Sequence, residues 1–156
     1  MRRTDREVTD FNEIFGILER SDTIRLGMNG IDGGCPYVVP LSFGCETAGG
    51  KIIVYFHGAS EGMKHGLIKN NPLVCVEADI FHGYTDREKA TTAMYESFIG
   101  FGKAEVIRGG EAARGMDLML IHCGYDGYEF DRGRIDETGI YKIVLDSFSG
   151  KSSLKN

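Results

Sequence analysis

The 156-residue chain reads as a mainly β protein, an antiparallel barrel closed or nearly closed, carrying a few helices. Three observations predict this. Apolar residues alternate at period two in successive stretches along the chain. Most of the 22 glycines fall at turns between those stretches. Helical spacing is confined to a few segments.

The first element is a helix over residues 10–20. Asp10 is its N-cap, with Glu13 three residues on in a capping-box pattern, and Phe11, Ile14, Phe15 and Leu18 form its apolar face. Thr23 to Met28 then alternates as a strand, with Ile24, Leu26 and Met28 on one side. Asn29-Gly30 and Gly33-Gly34 mark the turn after it.

Tyr37 to Cys45 reads as one long strand. Pro40 has no N–H for a ladder, so it belongs at an edge or a bulge. Such a strand leaves backbone groups near Pro40 and Ser42 free for a ligand, although a plain surface edge accounts for the same pattern.

Thr47 to Gly50 turns the chain into a strand from Lys51 to His57. Ile53, Tyr55 and His57 share one face; Ile52, Val54 and Phe56 share the other. Gly58, Ala59, Ser60 and Gly62 open the backbone. A short helix carrying Lys64, Leu67 and Ile68 follows, and Asn71-Pro72 stops it. A strand leading through small residues to a helix start exposes N–H groups, and a lysine in the first turn suits a phosphate. An ordinary strand-turn-helix with a solvated lysine has the same local pattern. As a site, His57 and Lys64 would bracket a ligand with one flat end and one charged end.

Leu73 to Phe81 is the next strand. The polar segment from Gly83 to Ala93 reads as a flexible loop in the position of a lid. Tyr95 to Val106 is a strand with Gly100 and Gly102 inside it, where glycine permits sharp curvature. Gly109-Gly110 leads into a helix with a stripe of Ala112, Met116, Met119, Leu120 and Cys123, and Gly124 is its C-cap candidate. Tyr125 to Arg134 reads as a loop or irregular helix. Thr138 to Leu145 is the last strand, with a polar tail from Ser147. No repeat or linker interrupts the order, so residues 1–156 form one expected domain.

The net charge of -5 opposes nucleic acid and anionic membrane as partners. The opening residues are too charged for a signal peptide, and no stretch is long enough to span a membrane, so a cytoplasmic location is expected. Cys35, Cys45, Cys75 and Cys123 show no C-x-x-C pair and are expected as buried reduced thiols. No metal site is expected: His122 and Cys123 project about 100° apart on a helix, poor geometry for shared chelation. No serine-histidine-aspartate, Walker A or Rossmann signature occurs. A bound cofactor is the remaining economical source of chemistry.

Four blocks stand in an order that identifies a family: Pro36 to Phe43, Tyr55 to His57, Glu61 to Lys64, and Tyr95 to Lys103. Together they resemble the nitroimidazole-resistance branch of the flavin-binding split barrels, the superfamily of pyridoxamine 5'-phosphate oxidase, over about residues 2–151. The resemblance implies a six-stranded antiparallel split β-barrel and a homodimer with FMN in clefts between subunits. It implies Lys64 as the lysine holding the FMN phosphate. His57, Gly58 and Ala59 would border the flavin, and Pro40, Leu41 and Ser42 would line the isoalloxazine. Ser97 would reach the partner subunit's cofactor, where the oxidase has glutamine. His57 would also stand over the substrate side of the flavin as the catalytic residue, with a hydrogen-bonded structural histidine as the plain alternative.

Two departures stand out. Met63 replaces the oxidase's arginine beside the phosphate lysine. The tail from Ser147 to Asn156 holds no histidine or arginine to grip a substrate, so vitamin B6 phosphate oxidation is not expected. The expected function is an FMN-dependent oxidoreductase, acting on nitroimidazole-like or other small aromatic substrates with an electron donor the sequence does not name. The reading from another class is a flavin- or haem-binding module in storage or sensing. His65 and His82 are expected at the surface, and His122 as a helix residue without a role.

Overall fold

The computed structural model describes residues 3–87, 90–131, 133, 135 and 138–154, with Arg87 described by its backbone alone. The strands are β1 (Glu7–Val8), β2 (Ile24–Met28), β3 (Tyr37–Leu41), β4 (Gly44–Ala48), β5 (Lys51–Ala59), β6 (Leu73–Arg87), β7 (Ala90–Ile107) and β8 (Thr138–Ser152). The helices are α1 (Phe11–Arg20), α2 (Met63–Asn70) and α3 (Gly109–His122).

Every pairing is antiparallel, in the order β3-β2-β6-β7-β8-β5-β4, with β1 laid on β8. β3 and β4 are therefore the two outer strands of this path, yet only Ser42 and Phe43 separate them. Three peptide steps span at most about 11 Å. The two ends of the sheet must meet there, so the sheet is rolled into a split barrel.

This crossing corrects the expectation of one strand from Tyr37 to Cys45. Leu41 pairs with Ile24 on β2, whereas Gly44 pairs with Tyr55 on β5. Pro40 lies on the edge strand, as its missing N–H requires. The break and the two-residue β1 account for eight strands where six were expected.

Two more stretches differ from the sequence reading. The expected loop from Gly83 to Ala93 continues the β6–β7 hairpin, with Tyr84 opposite Ala93 and Thr85 opposite Thr92; positions 88 and 89 lie outside the described residues. A bulge at Phe81–Gly83, with Gly83 at φ 113, offsets the hairpin. The expected polar tail runs on as β8, with Ser147 opposite Phe101 and Ser152 opposite Glu96. In both, backbone groups complete a ladder whatever the polarity of the side chains. Of the Tyr125–Arg134 stretch, positions 132 and 134 lie outside the described residues; Tyr125–Tyr128 forms a turn.

The capping of α1 is as the sequence requires. The Asp10 carboxylate accepts from the Glu13 N–H at 2.9 Å, and Ile14, Ile17 and Leu18 are buried. They join the barrel core with Leu26, Phe56, Val76, Phe98 and Tyr141. A second core lies under α3, where Ala112 and Met119 pack with Tyr55, Ile107 and Ile140. Gly124, at φ 82, ends α3 in the left-handed conformation, and the Tyr125 N–H returns to the Leu120 carbonyl at 2.8 Å.

The four cysteines are free, but Cys35 and Cys123 are exposed and Cys45 and Cys75 only half-buried, which corrects the expectation of buried thiols. Cys35 sits in the turn before β3, and Cys123 caps α3 outside its buried stripe. Among the described residues, no helix is long and apolar enough to cross a membrane.

Candidate functional site

The site begins with the alternation of β5. Phe56 points into the barrel and is fully buried. Its ring stacks on Tyr141, its cross-strand partner on β8, at 4.8 Å and 2°. His57 faces the opposite way and presents its ring at the surface. Gly58 then pairs with Gly139, and Ala59 with Thr138.

Beyond β5, Gly62 adopts φ 106, a conformation closed to most side chains, and starts α2. No side chain caps this helix, and its first turn holds no acid. The first N–H groups of α2 are left for water or a ligand.

Lys64 folds back from that turn onto the end of β5. Its ammonium donates to the His57 carbonyl at 3.3 Å and stands 5.2 Å from the centre of the Phe56 ring. Among the described residues it pairs with no carboxylate. Desolvation lowers its pKa from the usual lysine value. A half-buried ammonium with one long hydrogen bond can exchange it for a stronger one to an oxyanion.

The structure refines the bracketing of a ligand by His57 and Lys64. The ammonium lies on the Phe56 side of β5, whereas the His57 ring projects from the other side; they share only the His57 main chain. The pKa of His57 is lowered, first by desolvation although the residue as a whole is exposed, and second by the Lys64 charge.

Pro40 and Leu41 lie on β3 opposite Arg25 and Ile24, and Ser42 follows them at the break. Ser42 precedes Gly44 by two residues and His57 follows Tyr55 by two, so the break lies level with His57. Pro40 and Ser42 are exposed, and Leu41 packs partly against the core.

Ser97 lies elsewhere. Its partner on β8 is Lys151, whereas His57 pairs with Ile140. Positions 140 and 151 are separated by roughly 35 Å of strand. Ser97 lines a hollow of about 450 Å³ with Glu7, Tyr95, Ile99, Ser149 and Lys151. One chain does not bring Ser97 to His57 and Lys64.

Two residues at the site escaped the sequence reading. His65 is not a free surface residue: its Nδ1 lies 2.9 Å from the Tyr141 hydroxyl. Tyr141 shows in sequence only as one more apolar strand position, and nothing local says that it pairs with Phe56. The other two histidines belong to the scaffold. His122 Nε2 is 2.9 Å from the Ser21 carbonyl, with its ring against Phe43. His82 meets Glu96 at 3.0 Å.

The rolled antiparallel sheet, with a glycine-opened helix beside its central rim, defines the class: a split β-barrel of the pyridoxamine 5'-phosphate oxidase type. Residues 10–152 match the model of the pyridoxamine 5'-phosphate oxidase family, and the chain belongs to that family. No curated protein matches it.

Solved structures share the fold. The chain is similar to a candidate 5-nitroimidazole antibiotic resistance protein from Bacteroides thetaiotaomicron, with 25% identity and a TM-score of 0.83 over 93% of this chain and 85% of that one. It is similar to a flavocytochrome from Azotobacter vinelandii, with 20% identity and a TM-score of 0.74 over 97% and 71%. It is also similar to an FAD-binding protein from Mesorhizobium loti, with 18% identity and a TM-score of 0.67 over 95% and 97%.

Proposed function

We propose that the chain binds FMN and, as a homodimer, acts as a flavin-dependent oxidoreductase on small nitroaromatic compounds. The observation that carries this reading is the half-buried Lys64 ammonium, without a carboxylate partner among the described residues, beside the uncapped start of α2. Those groups fit a phosphate monoester. The likeness to the Bacteroides nitroimidazole-resistance relative and to FAD-binding structural neighbours supports flavin binding.

FMN, when bound, supplies two-electron redox chemistry. The chain's residues do the rest. Lys64 and the first N–H groups of α2 hold the phosphate. Pro40, Leu41, Ser42, Gly58 and Ala59 offer a rim of small or main-chain groups against which a flat ring lies. Ser97 serves the partner subunit's cleft, which accounts for its distance from His57. His57 orients a substrate on the open face. With its pKa lowered, it is neutral near pH 7 and serves as a hydrogen-bond partner or base; as a proton source it must first be charged.

The visible spectrum of the purified protein tests this. The expected result is a flavin spectrum that bleaches with NAD(P)H and recovers with a nitroimidazole. Bleaching without recovery would leave a binding module, and a haem spectrum or a failure to take up FMN would overturn the reading.

A further inference from the structure

Tyr141 is a fully buried side chain that carries a hydroxyl. A buried phenol needs a hydrogen-bond partner. Here it is Nδ1 of His65, at 2.9 Å, in the first turn of α2. The Tyr141 ring lies flat on Phe56, and Lys64 places its ammonium over that same Phe56 ring. Consecutive helix residues project about 100° apart. Two adjacent residues of α2 are thus anchored to one aromatic pair, which sets the helix's rotation about its axis.

The second turn of α2 is held by buried Leu67 and Ile68. The first turn has no such hold. Gly62 has no side chain, Met63 is largely exposed, and no cap is present. Among the described residues, Lys64 and His65 supply the side-chain hydrogen bonds that tie this turn to the strands.

We infer that the Tyr141–His65 hydrogen bond is a positioning device. It holds the first turn of α2 where its N–H groups and Lys64 meet a phosphate, and so sets the preference for FMN over riboflavin. The two flavins differ only by that phosphate. In this reading the side chains of Tyr141 and His65 act on the ligand through the placement of α2 and Lys64 rather than by contact. The inference rests on the proposed phosphate site.

The test measures the affinities of FMN and riboflavin by fluorescence quenching in wild type, Tyr141→Phe, His65→Ala, His65→Gln, Lys64→Ala and Tyr141→Phe/Lys64→Ala. Tyr141→Phe and His65→Ala should each cut the FMN preference roughly three- to tenfold and leave riboflavin binding unchanged. His65→Gln, whose amide can still bond the phenol, should retain most of the preference. In the Lys64→Ala background Tyr141→Phe should cost less than it does in wild type, because the part of its effect carried through Lys64 is already gone. Equal weakening of both flavins, an unchanged preference, or additive effects in the double variant would each overturn the inference. Wild type without any FMN preference removes the phosphate site and this inference with it. A preference lost in Lys64→Ala but kept in Tyr141→Phe and His65→Ala sinks this inference alone.

Discussion

The Lys64 ammonium occupies the space that a side chain at Gly58 would fill: a Cβ there would lie 2.5 Å from Nζ and 2.8 Å from Cε. Gly58→Ala therefore evicts Lys64 from its seat. The clash falls on the far end of a flexible side chain, so the fold should hold, with a melting temperature within a few degrees of wild type. FMN affinity should drop roughly threefold or more beyond any change in riboflavin affinity, as the seat is lost. Unchanged FMN affinity in a calorimetric titration would show that the seat is irrelevant to the ligand.

Lys64→Ala removes the contact itself. A charge-assisted hydrogen bond contributes roughly 1.5–3 kcal/mol, so FMN should bind about ten- to a hundredfold more weakly. Lys69, exposed in the last turn of α2, is the control, and Lys69→Ala should change little. Added salt should weaken FMN binding in wild type more than in Lys64→Ala. Equal affinities for the two alanine variants would falsify the phosphate assignment.

His57 gives a pH signature. Its pKa is lowered in the fold, so between that value and the ordinary value near 6.5 the unfolded chain binds a proton that the folded chain does not. Stability should rise with pH across this window and fall as pH drops through it. Lys64→Met removes one cause and should raise the His57 midpoint; a phosphate near Lys64 should raise it too. Proton NMR of the imidazole gives the midpoint directly. A value at or above 6.5 in the free protein counts against this account.

Gly44 answers to packing alone. A Cβ there would fall 2.5 Å from the Leu118 carbonyl carbon and 2.6 Å from the Met119 nitrogen, both backbone atoms of α3. Gly44→Ala should cost about 1–3 kcal/mol or more in urea unfolding, because the helix must move. Gly110, in the first turn of α3, has open space around it, and Gly110→Ala should be neutral or slightly stabilising. Similar midpoints for the two variants would mean that α3 yields easily.

The proposed homodimer would use the outer face of the sheet. Val38, Gly27, Cys75, Phe101 and Ser147 form one cross-strand row. Val38 is 59% exposed and Phe101 54%, with Ile99 nearby at 39%. An exposed apolar row of this kind suits an isologous partner. Sedimentation should give a dimer, and Phe101→Lys should yield monomers that lose FMN. A wild-type monomer holding one FMN per chain would sink the dimer and the role of Ser97 together.

Much of this was legible residue by residue. The helical face of residues 10–20, the cap at Asp10, and the in-and-out alternation of Ile52 to His57 are local properties, set by side-chain period and backbone hydrogen bonding. So is the glycine-opened helix that carries Lys64. The order of four short blocks was enough to point to the family.

Pairing was not legible. Period two places Phe56 and Tyr141 on inner faces but does not say that they stack on each other, and His65 could not be seen to serve Tyr141. Polar residues from Gly83 to Arg87, from Ala90 to Ala93 and from Ser147 to Ser152 gave no apolar signal, yet their main chains complete ladders. The break at Ser42-Phe43 exists because two distant sheet edges meet there, a demand no local pattern records. Sequence determined the faces and the ends of the elements through short-range sterics and hydrogen bonding. The tertiary structure alone decided which faces meet, because that choice is made by burial summed over the whole rolled sheet.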